Sequence, residues 1–226
     1  MITVIIYLHL LGGTMTTCKL FNQSCTIHEL IDVLISSIEA KDDYTRGHSD
    51  RVADLSEAIA KKMLLSQDQV FEIHIAGHMH DLGKIHIPDS ILSKEGQLTD
   101  HEWQVVKKHP QVGAHILSKL RNFDRIEKMV LHHHERFDGG GYPAGIKGSD
   151  IPLGARIIAV SDSIDAMLTK RPYRPALSVE TCIEELKNNR WSQFDPQVAD
   201  LAIDLLRQES FEGVFMKYQE ATSGVG

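Results

Sequence analysis

The sequence predicts an all-α fold, on three observations. Apolar residues recur at helical spacing from about residue 26 to 210. Capping signatures precede several of these stripes, at Thr26 with Glu29, Ser66 with Gln69 and Thr99 with Glu102. No run alternates apolar and polar residues in the way a half-buried strand does.

Each element has its own signal. After Thr26, Ile27, Leu30, Ile31, Leu34 and Ile38 fall on one helical face. A second helix carries Val52, Leu55, Ile59 and Met63. Ser66 opens a third, whose inner face is Val70, Ile73, Gly77, His80 and Asp81, with Gly83 placed to end it. A fourth follows Thr99, carries Trp103 and Val106 inward, and is expected to reach His109 just before Pro110. A fifth uses Val112, Ile116, Leu117 and Leu120. In the sixth, Ile126, Met129, Val130, His133 and His134 lie at i, i+3, i+4, i+7 and i+8. That periodicity sets the register of the histidine triple: His133 and His134 continue the apolar stripe and His132 points elsewhere. A glycine-rich loop, 138–143, leads to a nearly all-apolar helix from Leu153 to Leu168, interrupted by Asp162 and Asp165 and expected to be buried all round. Two more helices close the chain, Val179 to Lys187 and one after Asp195-Pro196.

The organisation expected is one domain over 26–210, an N-terminal extension over 1–25 and a tail over 211–226. The chain has 226 residues, enough to bury a core without disulfides. Its three cysteines, Cys18, Cys25 and Cys182, form no CxxC pair, which fits a reduced cytoplasmic protein. A formal net charge of −7 argues against tracking DNA, while leaving room for a local basic pocket. The apolar run over residues 1–12 is well short of the roughly 20 residues that span a bilayer. It lacks the basic start and small-residue cleavage site of a signal peptide. Met15 as the true start, a short interaction segment and a membrane-contacting anchor are the readings of this piece.

Thirteen histidines make a metal centre available, and their placement makes one expected. The candidate ligands are His48, His80, Asp81, His109, His133, His134 and Asp162, on or at the ends of different helices apart from the two adjacent pairs. A helical domain builds metal sites by aiming such side chains inward from facing helices. An apolar interior does not hold a carboxylate among imidazoles unless something binds them. Seven ligands exceed the need of one ion, so two divalent ions are expected, with Asp81 placed to bridge them. Two cations lower the pKa of water between them, from about 15.7 to about 7 for a single catalytic zinc, and stabilise charge on phosphate oxygens. The other histidines, 9, 28, 74, 78, 86, 101, 115 and 132, are read as ordinary surface or hydrogen-bonded residues. Taken alone, Lys84 reads as a charge at a helix C-terminus, and Arg171 and Arg174 as surface cations.

These residues resemble the HD-GYP family, a branch of the HD-domain metal-dependent phosphohydrolases. The matching stretches are Gly47-His48-Ser49-Asp50-Arg51-Val52, His80-Asp81-Leu82-Gly83-Lys84-Ile85, Ile87-Pro88-Asp89, His109-Pro110, and 133–143 with its Gly141-Tyr142-Pro143. They continue through Ile151-Pro152-Leu153, Asp162, Asp165-Ala166-Met167, Arg171-Pro172-Tyr173-Arg174 and Phe194-Asp195-Pro196. The resemblance implies an HD-domain helical bundle with a C-terminal HD-GYP extension. It implies a bacterial signalling enzyme that hydrolyses cyclic di-GMP to linear pGpG, with the further step to GMP left open. It implies one metal on His48, His80, Asp81 and Asp162 and a second on Asp81, His109, His133 and His134. Asp81 and Lys84 are then catalytic, Lys84 lying near the attacking water or a phosphate. Tyr142 and Pro143 shape the substrate pocket, and Arg171 and Arg174 face a phosphate or base. A thiolate-free set of imidazoles and carboxylates, with the family precedent, favours iron or manganese.

Two departures qualify that expectation. Some relatives carry a glutamate four residues before the first histidine and hold a third metal; here that position is Tyr44, so two metals are expected. Such domains usually follow a receiver or other sensory module, and residues 1–25 are too few for one. Two alternatives remain open. One is a non-catalytic module that senses cyclic dinucleotides or docks a diguanylate cyclase or sensor protein; the other is a hydrolase of another cyclic dinucleotide such as cyclic GMP-AMP.

Overall fold

The computed structural model describes residues 27–39, 47–94, 96–170 and 175–208. Among these, ten α-helices and two short 3-10 turns account for the regular structure, and the only β pairing is an isolated bridge between Arg190 and Phe194. The helices are α1 (Ile27–Glu39), α2 (His48–Lys62), α3 (Gln67–Met79), α4 (Asp89–Leu92), α5 (Asp100–Val106), α6 (His109–Leu117), α7 (Asp124–His132), α8 (Leu153–Leu168), α9 (Val179–Asn188) and α10 (Pro196–Leu206). The fold is the all-α bundle expected from the helical periodicity.

Local chemistry explains the starts of the helices. Ser66 accepts from Gln69 N–H while the Gln69 side chain returns to the Ser66 backbone, and Thr99 and Glu102 form the same reciprocal pair ahead of α5. Asp195 caps α10 through Gln197 and Val198 N–H and is held in turn by Arg156. The carboxylate of Glu39, at the end of α1, accepts from Gly47 N–H at 2.8 Å and Ser49 N–H at 3.0 Å. This satisfies orphan donors at the start of α2 and fixes where His48 emerges. The signature at Thr26 lies outside the described residues.

α2 and α3 cross closely. A Cβ added at Gly77 would lie 2.8 Å from Ala53 Cα, so this crossing requires glycine. α8 packs against both, and no residue between Leu153 and Leu168 is fully exposed, as its all-round apolar pattern predicts. Val52, Ile59, Ile157, Ile158, Val160 and Ile164 are completely buried in this core. Each such side chain contributes on the order of 1.5–3 kcal/mol by leaving water.

Four expectations are corrected. The α5 stripe stops at Val106 and His109 opens α6 with Pro110 in its first turn, because proline tolerates a helix start and not its interior. Gly83 does not cap α3. It sits in the 3-10 turn Leu82–His86, where an added Cβ would lie 1.9 Å from the His109 carbonyl oxygen. Trp103, Ile116 and Leu120, placed inward by periodicity, are 42%, 37% and 44% exposed; Gly113, Ala114 and Leu117 form the buried face of α6. On α1, Ile31 and Ile35 are buried whereas Leu34 is 53% exposed.

Candidate metal centre

The centre is built from helix ends. His80 follows α3, His109 opens α6 directly after α5, and His133 follows α7. In each case Nδ1 meets the carbonyl three residues back: Gly77 at 2.7 Å, Val106 at 2.8 Å and Val130 at 2.7 Å. Carbonyls in the last turn of a helix lack intrahelical partners, so each is available to accept from an imidazole Nδ1–H. That bond fixes the tautomer and turns the Nε2 lone pair inward. His48 stands at the start of α2, where no such carbonyl precedes it. Asp165 of α8 takes the role, with Oδ2 2.6 Å from His48 Nδ1, and is itself held by Arg51.

The structure brings all seven sequence-predicted ligands together. His48, His80 and Asp162 form one group and His109, His133 and His134 another, with the ligand atoms of each group within 4.8 Å of one another. Asp81 lies between them: Oδ2 is 3.2 Å from His80 Nε2 and 3.7 Å from His48 Nε2, and Oδ1 is 3.3 Å from His109 Nε2. Asp162 Oδ1 is 3.4 Å from His48 Nε2. His109 and His133 approach Nε2 to Nε2 at 3.3 Å, as do His48 and His80. Where both rings are neutral, as for His109 and His133, lone pairs aimed at one another at such a distance repel unless a cation lies among them. Five imidazoles and two carboxylates in a largely buried space therefore fit borderline divalent cations.

The electrostatics agree with that donor set. Burial pulls His133 well below the usual imidazole range and His134 down to about 3, and the neighbouring rings push the same way. Burial lowers His109 as well. These rings are neutral near pH 7, as ligation requires. His80 goes the other way: burial opposes its cation, but Asp81 beside it and Asp162 raise it to about 9. Burial alone would raise Asp81; Lys84, His80 and His109 together hold it well below the carboxylate range.

Lys84 reaches back so that Nζ lies 2.6 Å from Asp81 Oδ2, putting its charge at the centre rather than on helix carbonyls alone. Tyr142 stacks on His134, ring centroids 4.9 Å apart, and its N–H donates to the His134 carbonyl at 3.1 Å. The Tyr142–Pro143 peptide is cis. Arg171 and Arg174 lie outside the described residues.

Three residues hold supporting positions that the sequence alone does not assign, Asp165 being open there to a role as N–H acceptor or salt-bridge partner. Asp165 and Arg51 orient His48. Glu135 is buried and accepts from Ala144 N–H at 2.7 Å and Gly145 N–H at 3.0 Å, tying the glycine-rich loop to the end of α7. The available signal for Asp165 was its i, i+3 spacing from Asp162, which puts both on one face of α8.

Comparison with known proteins accords with this arrangement. Residues 32–198 match the family model described as HD domain. The chain belongs to the HD domain family. Within it, the resemblance to the HD-GYP branch extends to curated HD domain relatives. The chain is 41% identical over 174 residues to the cyclic di-GMP phosphodiesterase response regulator RpfG of Xanthomonas campestris, covering 76% of this chain and 46% of that protein. It is 37% identical over 160 residues to the 3'3'-cGAMP-specific phosphodiesterase 3 of Vibrio cholerae, covering 71% of this chain and 35% of that one. The chain thus spans less than half of either relative. The crystal structure of a cyclic GMP-AMP specific phosphodiesterase from V. cholerae superposes with a TM-score of 0.65 at 18% identity, covering 87% of this chain and 53% of that one, which shows a shared HD domain fold. HD-domain phosphohydrolases depend on metal, and this chain has candidate His and Asp clusters for one. No helix among the described residues is long and apolar enough to cross a membrane.

Proposed function

We propose that this HD domain, taken as residues 26–210, hydrolyses a phosphodiester bond of cyclic di-GMP. The observation that carries the reading is Asp81, whose two oxygens face two separate histidine groups at 3.2 and 3.3 Å. His48, His80, Asp81 and Asp162 hold one divalent ion, and Asp81, His109, His133 and His134 the other, with iron or manganese suited to imidazole and carboxylate donors. Bound there, the ions supply Lewis acidity: an acidified water and neutralised charge on the phosphate oxygens.

The chain's own residues do the rest. Lys84 contributes a positive charge beside Asp81, where phosphate charge builds up. Tyr142 and Pro143 wall the pocket next to His134, held there by Glu135 through the loop backbone. Arg171 and Arg174 supply the cations that an anionic dinucleotide needs in a chain of net charge −7. The reading places the protein in the cytoplasm of a bacterium, where it lowers the second messenger in step with a diguanylate cyclase or sensor protein. The product is linear pGpG, with further hydrolysis to GMP left open.

The relative named as 3'3'-cGAMP-specific makes that dinucleotide the second candidate substrate. The test is anaerobic loading with iron or manganese, metal counting, and chromatography of products from cyclic di-GMP and cyclic GMP-AMP in parallel. Two ions per chain and faster loss of cyclic di-GMP are expected. A fully loaded protein that cleaves neither would sink the enzymatic reading in favour of a sensing or docking module.

A further inference from the structure

A chain of ring contacts runs from solvent to the metal centre, and it holds a lysine that the proposed mechanism does not use. Lys107, at the end of α5, sets Nζ 5.5 Å from the centroid of the Tyr142 ring and 5.8 Å from that of Trp103. Tyr142 in turn stacks on the ligand His134, ring centroids 4.9 Å apart. Trp103 lies one helical turn before Lys107 and is 42% exposed, so the outer end of the chain meets solvent. Lys107 itself is half-buried.

Among the described residues, no carboxylate lies within ion-pair distance of Lys107. The acidic residue nearest in sequence, Glu102, is held by Lys94 Nζ at 2.6 Å and by Thr99 N–H at 2.7 Å. Lys84, by contrast, is paired with Asp81. Aromatic faces attract an ammonium group but carry no net charge, so the cation of Lys107 remains open to an anion. A cyclic dinucleotide has two phosphates. While one lies at the metals, the other stays negative and needs its own partner, in a chain of net charge −7. Such a ligand also has two purine bases, whose faces stack on aromatic side chains.

We propose that Trp103 and Lys107 form an outer subsite for the half of a cyclic dinucleotide that is not being cleaved, Lys107 meeting the second phosphate and Trp103 stacking a purine base. This rests on the reading of the centre as a cyclic dinucleotide phosphodiesterase. Tyr142 joins the subsite to the centre, because its ring touches both Lys107 and His134. The subsite favours a dinucleotide over a diester with one phosphate and no purine. It acts through binding, so its loss raises KM rather than lowering kcat.

The test compares the metal-loaded full chain with Lys107→Gln, Lys107→Arg and Trp103→Ala on two substrates, cyclic di-GMP and bis(p-nitrophenyl) phosphate. Lys107→Gln and Trp103→Ala are each expected to lower kcat/KM for cyclic di-GMP, relative to the small diester, by about tenfold, the scale of one charge-assisted contact or one stacked base. The loss should lie in KM, and Lys107→Arg should recover most of it. Equal losses on both substrates would overturn the proposal, since a lysine that only props Tyr142 against His134 would slow both alike. No loss on either substrate would overturn it too. If the loaded wild type cleaves neither, that failure belongs to the catalytic reading, and equilibrium dialysis with labelled cyclic di-GMP then decides the subsite. Binding weakened about tenfold in Lys107→Gln supports the subsite. Equal binding by the two proteins, or none by wild type, overturns it.

Discussion

His48 Nδ1 and Asp165 Oδ2 lie 2.6 Å apart, joining the first residue of α2 to the middle of α8. Three other ligand rings are oriented by the carbonyl three residues behind them; His48 depends on this one side chain. Asp165→Asn is expected to weaken the ion held by His48 by about 10–100-fold while helix content is kept. Metal titration beside far-ultraviolet circular dichroism checks it, and unchanged affinity would show that His48 is oriented by other contacts.

Asp81→Ala removes the group set between the two histidine clusters. Turnover is expected to vanish and bound metal to fall. Full activity in this variant would refute the bridged pair.

Lys84→Ala leaves every proposed ligand in place. Hydrolysis is expected to slow by about 100-fold, the scale of losing one charge-stabilising donor, with metal content unchanged. Loss of metal instead would assign Lys84 to holding Asp81 in position.

Metal loading is expected to release a proton. His80, at about 9 rather than the ordinary 6.5, keeps its proton in the metal-free fold at pH 7. That proton stabilises the metal-free fold fully below 6.5, and the contribution is lost as pH rises through about 9. A metal ion takes the same nitrogen, so apparent metal affinity should rise with pH up to about 9. Calorimetric titration in two buffers of different ionisation enthalpy should give different heats; identical heats would contradict it.

Gly83→Ala is expected to destabilise the fold by at least about 2 kcal/mol, since the new carbon meets backbone rather than a side chain that can turn aside. Urea denaturation of the two proteins measures the difference.

Much of the centre could be read in the chain because its residues sit on strongly periodic helices. The stripe through Ile126, Met129 and Val130 carried His133 inward and His132 aside, and the run from Leu153 to Leu168 marked a helix with no fully exposed residue. What escaped depends on long-range or backbone partners. Asp165 is 117 positions from His48, and periodicity within one helix does not reveal what lies across from it. Glu135 serves backbone N–H groups of a loop, which leave no mark in side-chain pattern. The break between α5 and α6 was hidden because Lys107 and Lys108 are compatible with helix, so the stripe read through to His109. Trp103 faces outward on a helix of only seven residues, with Lys107 5.8 Å from its ring centroid.

The orientation of His80, His109 and His133 by main-chain oxygen has a bearing on engineering. No substitution can delete a carbonyl, so these three donors resist adjustment from behind. Among these four rings, a redesign aimed at a different ion or a different redox behaviour has one side-chain dial behind the ring, the carboxylate that holds His48. Libraries focused on Asp165 and Arg51 would explore that freedom without dismantling the helices.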